Sequence, residues 1–151
     1  VYSKEVLREF LEKFLSLKRR YGGFHIKFLY LRINFVIDVK KDIQKEFVEN
    51  ILKYTVAVTR TSDVVGQIDE TSFGMILTNS NREGANIVAE KITKYIADIN
   101  FNNDKRIVDA NASLAHEMFI LKHSDFNELI KVLDKNTNFI TVGTHLKELI
   151  K

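Results

Sequence analysis

Apolar residues recur at helical spacing at the start of the chain, at Val6, Phe10, Phe14 and Leu17. Ser3 is placed to cap this helix, and Gly22-Gly23 to end it after Arg20. Phe24 to Phe35 is rich in aromatic and β-branched residues and predicts a long, largely buried strand. Asp38 is placed to cap a second helix, with Ile43, Phe47, Ile51 and Tyr54 on one face. Two short apolar runs follow, Val64–Ile68 and Phe73–Thr78, joined by Asp69-Glu70-Thr71-Ser72. They read as a hairpin. Asn79-Ser80-Asn81 breaks the chain and offers the next cap. A third helix is predicted to about Ile99, with Ile87, Ile92, Tyr95 and Ile96 apolar, and then a polar loop, Asn100–Asp104. Ile107–His116 reads as a strand. Ser124 would cap a fourth helix, Phe126 to about Leu133. Phe139–Val142 reads as a short last strand and Thr144–Lys151 as a terminal helical turn.

The middle of this order, β-α-β-β-α-β, is the ferredoxin-like motif, an α+β fold with a central antiparallel sheet flanked by helices. That fold hosts unrelated functions, so function has to be read from sites. The chain has 151 residues, no proline and no linker, repeat or low-complexity run, which predicts one domain over residues 1–151. It begins at Val1 rather than Met, so it is expected to be a piece of a larger protein.

Composition excludes several classes. The 23 basic and 20 acidic residues leave a net charge of +3, scattered along the chain, which does not predict a nucleic-acid partner. The basic run Lys18-Arg19-Arg20 closes a helix, where cations favour the dipole. With no cysteine there is neither a disulfide nor a thiolate site, which fits a reducing compartment. No apolar run is long enough to span a bilayer and no signal peptide is visible, so no membrane contact is expected of this segment. His25, His116, His123 and His145 have no metal-like spacing. His116-Glu117 lacks a nucleophile or partner motif. Asp63, Asp69 and Glu70 read as solvated turn residues.

The order and spacing of several pieces resemble the GGDEF (diguanylate cyclase) family. Arg60-Thr61-Ser62-Asp63 stands where that family has R-x-x-D, five residues ahead of the turn. Asp69-Glu70-Thr71-Ser72-Phe73 occupies its five signature positions, and only Phe73 matches. Ala85–Ile92 (ANIVAEKI) is similar to the helix that follows, and Ala110–Ala115 (ANASLA) to the next strand. The resemblance covers roughly Lys4 to Leu133. It implies a nucleotide-cyclase-type fold, a bacterial, cytoplasmic setting and a place in cyclic di-GMP signalling, with the parent protein free to be membrane-anchored.

The departures bear on chemistry. A diguanylate cyclase joins two GTP molecules, and carboxylates hold divalent metal against the triphosphate, because hard cations take oxygen ligands. The resemblance puts Arg32 at the metal-binding aspartate of the first strand and Asn34 at the next acidic position. A guanidinium has no acceptor and repels a cation. Thr71 and Ser72 are neutral where the turn should be acidic. Asp69 and Glu70 replace the glycines that let backbone approach the nucleotide. The family's G-H-x-x-G-D core has no counterpart in Asp38–Thr59, and the usual lead-in before the first helix is missing.

These losses predict a catalytically inactive domain with no metal and no cofactor. Its expected role is regulatory, through contacts with other domains of the same protein or as a homodimer, or by binding cyclic di-GMP. The resemblance makes Arg60 and Asp63 the candidate cyclic di-GMP site, since arginine forks onto phosphate or guanine and aspartate accepts guanine N–H groups. The competing expectation is an Arg60–Asp63 pair that only closes the second helix. The same tetrad pattern recurs at Arg106-Ile107-Val108-Asp109, so placement rather than letters carries the signal. The alternatives are an active diguanylate cyclase or other nucleotide enzyme of the cyclase/palm fold, and a dimerisation module that binds no nucleotide.

Overall fold

A computed structural model describes residues 1–78, 82–123 and 125–150. The caps expected at Asn79-Ser80-Asn81 and at Ser124 lie outside these residues.

The first strand, β1 (Ile26–Phe35), runs through the middle of the sheet and sorts its side chains by alternation. Leu29, Leu31 and Ile33 point to one face and Phe28 and Tyr30 to the other, and all five are buried. Both faces are therefore covered, which explains the nearly continuous apolar run. Helices α2 (Lys41–Val58) and α3 (Arg82–Asn102) cover the first face with Val48, Ile51, Leu52, Ala85, Ala89, Ile92 and Ile96. Helices α1 (Lys4–Tyr21), α4 (Glu117–Lys122) and α5 (Phe126–Lys135) cover the second with Leu7, Leu11, Phe119, Ile120, Phe126, Leu129 and Leu133.

The remaining strands are β2 (Val64–Gln67), β3 (Ser72–Thr78), β4 (Val108–Ala115), β5 (Asn138–Ile140) and β6 (Glu148–Leu149). Their order is β2-β3-β1-β4-β5, with β6 also on β4. The first four of these positions are the ferredoxin-like arrangement that the sequence predicts. The sheet is not wholly antiparallel, because β6 pairs β4 in parallel.

Local chemistry accounts for the boundaries. Ser3 accepts the Val6 N–H at 3.3 Å, and Gly22 ends α1 at φ 62° with its N–H on Lys18 O. Asp38 does not cap α2. Val39 packs on the core before the helix turns, so the cap moves to Lys40, which makes no side-chain cap bond. The buried face of α2 is Val48, Ile51, Leu52 and Thr55, while Ile43 of the expected face is exposed. Ile87 of α3 is exposed too, and Ala85 and Ala89 face the sheet in its place.

The predicted loop at Asn100–Asp104 begins as helix. The Asn100 amide accepts the N–H groups of Ile107 (2.8 Å) and Val108 (3.1 Å) and donates to Val108 O (2.8 Å), docking the helix end on β4. Helix α4 has six residues, too few to show a period, and is capped by His116 Nδ1 accepting from Met118 N–H at 3.1 Å. Asp125 caps α5. The terminal helical turn expected from Thr144 does not form over residues 144–150, and Lys151 lies outside the described residues. Leu146 is buried and Glu148 pairs with Lys27 of β1, which holds the segment extended.

One packing feature sets the position of α1. Gly66 and Gly74 face each other on β2 and β3. A Cβ on Gly66 would lie 2.7 Å from Leu7 Cβ, and one on Gly74 would lie 2.4 Å from Phe28 Cζ. The two glycines form a notch that takes Leu7, so α1 rides directly on the hairpin. Tyr2 extends this contact by bonding main chain to main chain with Val65 and Gln67 at the edge of β2.

Candidate functional site

The signature turn is built by its own side chains. Asp69 Oδ1 accepts the Thr71 N–H at 2.9 Å, and the Ile68 N–H donates to Ser72 O at 2.9 Å. Thr71 O accepts the Ile33 N–H at 2.7 Å, fixing the turn to β1. Glu70 reaches Lys41 at 3.5 Å, but both side chains are 86% exposed, so this pair contributes little. Phe73 is fully buried under α2 and α3. Four of the five signature positions thus serve the turn or its rim, and the fifth serves the core.

Between this turn and the start of α2 lies a cleft of about 450 Å³. Lys41 and Lys45 line it together with Asp42, Glu49 and Glu70, and Val48, Gln67 and Thr71 lie between them. Opposite charges are thus interspersed, with no cluster of one sign.

Arg32 stands on the other face. Its register partners are Ser72 on β3 and Asn111 on β4. Each of its three nitrogens makes a hydrogen bond: Nη1 donates to Asp134 Oδ1 at 2.6 Å, Nη2 to Thr137 Oγ1 at 3.5 Å and Nε to Asn34 Oδ1 at 3.2 Å. Asn34 Nδ2 donates to Asn111 Oδ1 (2.9 Å) and Asp109 Oδ1 (2.8 Å), and Asn111 Nδ2 returns to Thr137 Oγ1 (3.4 Å). Arg32, Asn34, Asn111 and Thr137 therefore form a closed ring of hydrogen bonds.

Tyr30 donates its hydroxyl to the same Asp134 oxygen at 2.9 Å. Burial pushes the Tyr30 phenol up to about 12, with a weaker opposing contribution from the Ser72 hydroxyl and the nearby Asp134 carboxylate adding to the rise. The Ser72 hydroxyl, though beside the phenol, makes no hydrogen bond of normal geometry and is buried.

The donor set at this end of β1 does not fit a divalent metal. Arg32 of β1 is a paired guanidinium, the turn offers hydroxyls, and Glu70 lies out at the exposed rim. Among the described residues no three His, Cys, Asp or Glu side chains converge as a metal centre needs.

Arg60 and Asp63 lie at the far end of β2 from the turn. Asp63 Oδ2 accepts the backbone N–H of Arg60 at 3.0 Å, and Oδ1 accepts that of Thr78 at 3.2 Å. The Asp63 N–H donates back to Arg60 O at 3.0 Å. The carboxylate thus ties the end of α2 to the end of the hairpin through main chain. The duplicate tetrad behaves differently: Arg106 Nη2 bonds Asp109 Oδ2 at 2.6 Å side chain to side chain, and its guanidinium lies 5.4 Å from the Phe139 ring centre. His116 and His123 serve the two ends of α4.

Asp134 and Thr137 were invisible to sequence reasoning. They stand more than a hundred positions from Arg32, and no local pattern joins them.

No protein-family model and no curated protein matches the sequence. Solved structures do match. A DGC protein from Thermotoga maritima superposes with a TM-score of 0.67 at 18% identity, over 91% of this chain and 96% of that one. The diguanylate cyclase SiaD of Pseudomonas aeruginosa, solved with its activator SiaC, gives 0.62 at 14%, over 88% of this chain and 52% of SiaD. The active GGEEF domain of a diguanylate cyclase from Vibrio cholerae gives 0.58 at 17%, over 89% and 88%. At these identities the likeness is one of fold, and the fold of this chain is that of the GGDEF domain of diguanylate cyclases.

Proposed function

We propose that this domain is a catalytically inactive regulatory module of cyclic di-GMP signalling that works through protein contacts. The observation that carries the reading is the Arg32–Asp134 ion pair at 2.6 Å. The resemblance aligns Arg32 with a cyclase's metal-binding carboxylate, and the pair keeps its guanidinium, which offers a cation no lone pair, engaged there. The neutral Thr71 and Ser72 add to this, as does the mixed charge of the cleft beside α2. SiaD, of similar fold, is known in complex with a protein activator, which supports contact as a mode of action for such folds.

Cyclic di-GMP binding at Arg60 and Asp63 is the second arm. Arg60 is exposed, which favours it. The Asp63 carboxylate already accepts two backbone N–H groups, which weakens it.

The deciding experiment incubates the purified chain at high concentration with GTP and Mg²⁺ or Mn²⁺. No cyclic di-GMP should form, and turnover would sink the proposal. Calorimetry with cyclic di-GMP separates the arms. Saturable heat that Arg60→Ala abolishes favours the ligand arm, and no heat at large excess favours contacts. Light scattering that shows a nucleotide-insensitive dimer would favour a homodimeric contact.

A further inference from the structure

We infer that an internal cation replaces the divalent metal at this end of the sheet: the Arg32 guanidinium, fixed by Asp134, is the site's positive charge, and the site takes no Mg²⁺ or Mn²⁺. The inference rests on the reading that Arg32 stands at the metal position, and it adds a structural role that inactivity alone does not require.

The geometry carries it in three steps. First, each nitrogen of the Arg32 guanidinium has a side-chain partner: Nη1 has Asp134, Nη2 Thr137 and Nε Asn34. A half-exposed arginine free to swing away would leave room for a cation. This one is held by a carboxylate and by a closed ring of side chains. Second, two carboxylates at this end of β1, Asp134 and Asp109, already have partners. Asp134 takes Arg32 and the Tyr30 hydroxyl, and Asp109 takes Arg106 and Asn34. A dication would have to displace a guanidinium from each, against charge repulsion. Third, the pair joins elements remote in sequence. Asp134 and Thr137 come from the end of α5 and the turn after it, while Arg32 lies on β1 opposite Ser72 of the signature turn. The guanidinium therefore ties the end of α5 and the turn after it to β1.

The inference makes an inverted demand on the variants. Arg32→Asp would place a carboxylate beside Asp134, with the amide oxygens of Asn34 and Asn111 close by. That is an all-oxygen cluster of the kind hard cations take. The wild type should ignore divalent ions, and the variant should depend on them.

The test is thermal unfolding with and without millimolar MnCl₂ or MgCl₂, with a calorimetric Mn²⁺ titration alongside, on wild type, Arg32→Asp and the charge-reversed double variant Arg32→Asp/Asp134→Arg. The expected result is a wild-type midpoint that does not move with either salt, and no saturable heat. Arg32→Asp should melt about 5 °C lower in metal-free buffer and recover on adding Mn²⁺. The double variant should regain its midpoint without metal. A wild type stabilised by Mn²⁺ overturns the inference, as does an Arg32→Asp that loses nothing without metal. If Arg32→Asp does not fold, the wild-type titration and the double variant still decide. A wild type that binds Mn²⁺ but makes no cyclic di-GMP would refute this inference and leave the proposed function standing.

Discussion

Asp63 and Thr78 are bound to each other across the base of the hairpin: the carboxylate Oδ1 of the first accepts the backbone N–H of the second at 3.2 Å. The other oxygen holds the Arg60 N–H at 3.0 Å. The residue expected to face a ligand is thus also the clasp between α2, β2 and β3. Asp63→Ala should lower stability by about 1–2 kcal/mol, in the range of a lost capping bond. Asp63→Asn should lose less, because one acceptor oxygen remains. Urea unfolding of the three proteins checks this. An Asp63→Ala as stable as wild type would mean the clasp contributes nothing.

The notch under α1 predicts a steric cost. Gly74→Ala brings a methyl within 2.4 Å of Phe28 Cζ, in a core where Phe28 is fully buried. The ring has to move, at about 1–3 kcal/mol. Phe28→Leu in the same chain should recover part of that loss, since it removes the colliding atoms. A double-mutant cycle measures the coupling, and strictly additive effects would contradict the packing described.

Tyr30 predicts an alkaline transition. Its phenol is raised from 10.0 to about 12, first by burial and then by Asp134, so the folded state holds the proton more tightly than the unfolded state. That contribution to stability is complete below pH 10 and is lost as pH rises towards 12. Ultraviolet titration should find one of the five tyrosines ionising late. Tyr30→Phe should remove that late step and flatten the loss of stability over the same window. Five tyrosines ionising together would contradict it.

The last strand hangs on a buried ion pair. Lys27 and Glu148 keep side-chain exposures of only 10% and 12%. Removing one partner strands the other, so Glu148→Ala should cost about 3 kcal/mol. Replacing both, as Lys27→Met/Glu148→Leu, should recover most of that. Thermal melts of the single and double variants test it, and a double variant worse than the single one would count against the pair.

Much of the fold was legible because it rests on local periodicity. The first helix, the apolar run of β1 and the hairpin around Asp69–Ser72 each announce themselves within a dozen residues, although the fully buried residues of α1 are Leu7 and Leu11 and the Val6–Leu17 stripe is only partly buried. What failed had a tertiary cause. Asp38 was the better cap by type, yet Val39 packing on the core delayed α2. Asn100 belonged to a loop by composition, yet its amide found three main-chain partners on the approach to β4. The last residues looked helical, yet Glu148 found Lys27 from 121 positions away.

The candidate site divides in the same way. That Arg32 has no lone pair to give a cation and that Thr71 and Ser72 carry no charge are properties of the side chains themselves, and the sequence alone determined them, because charge and donor type do not depend on the fold. The use made of these residues was decided only by tertiary structure. Asp134 and Thr137 reach Arg32 because α5 packs across β1 and β4, and Asp63 reaches Thr78 because the hairpin returns to its own base. Such pairs join residues far apart in the chain, and no spacing rule records them until the sheet brings them within hydrogen-bond distance.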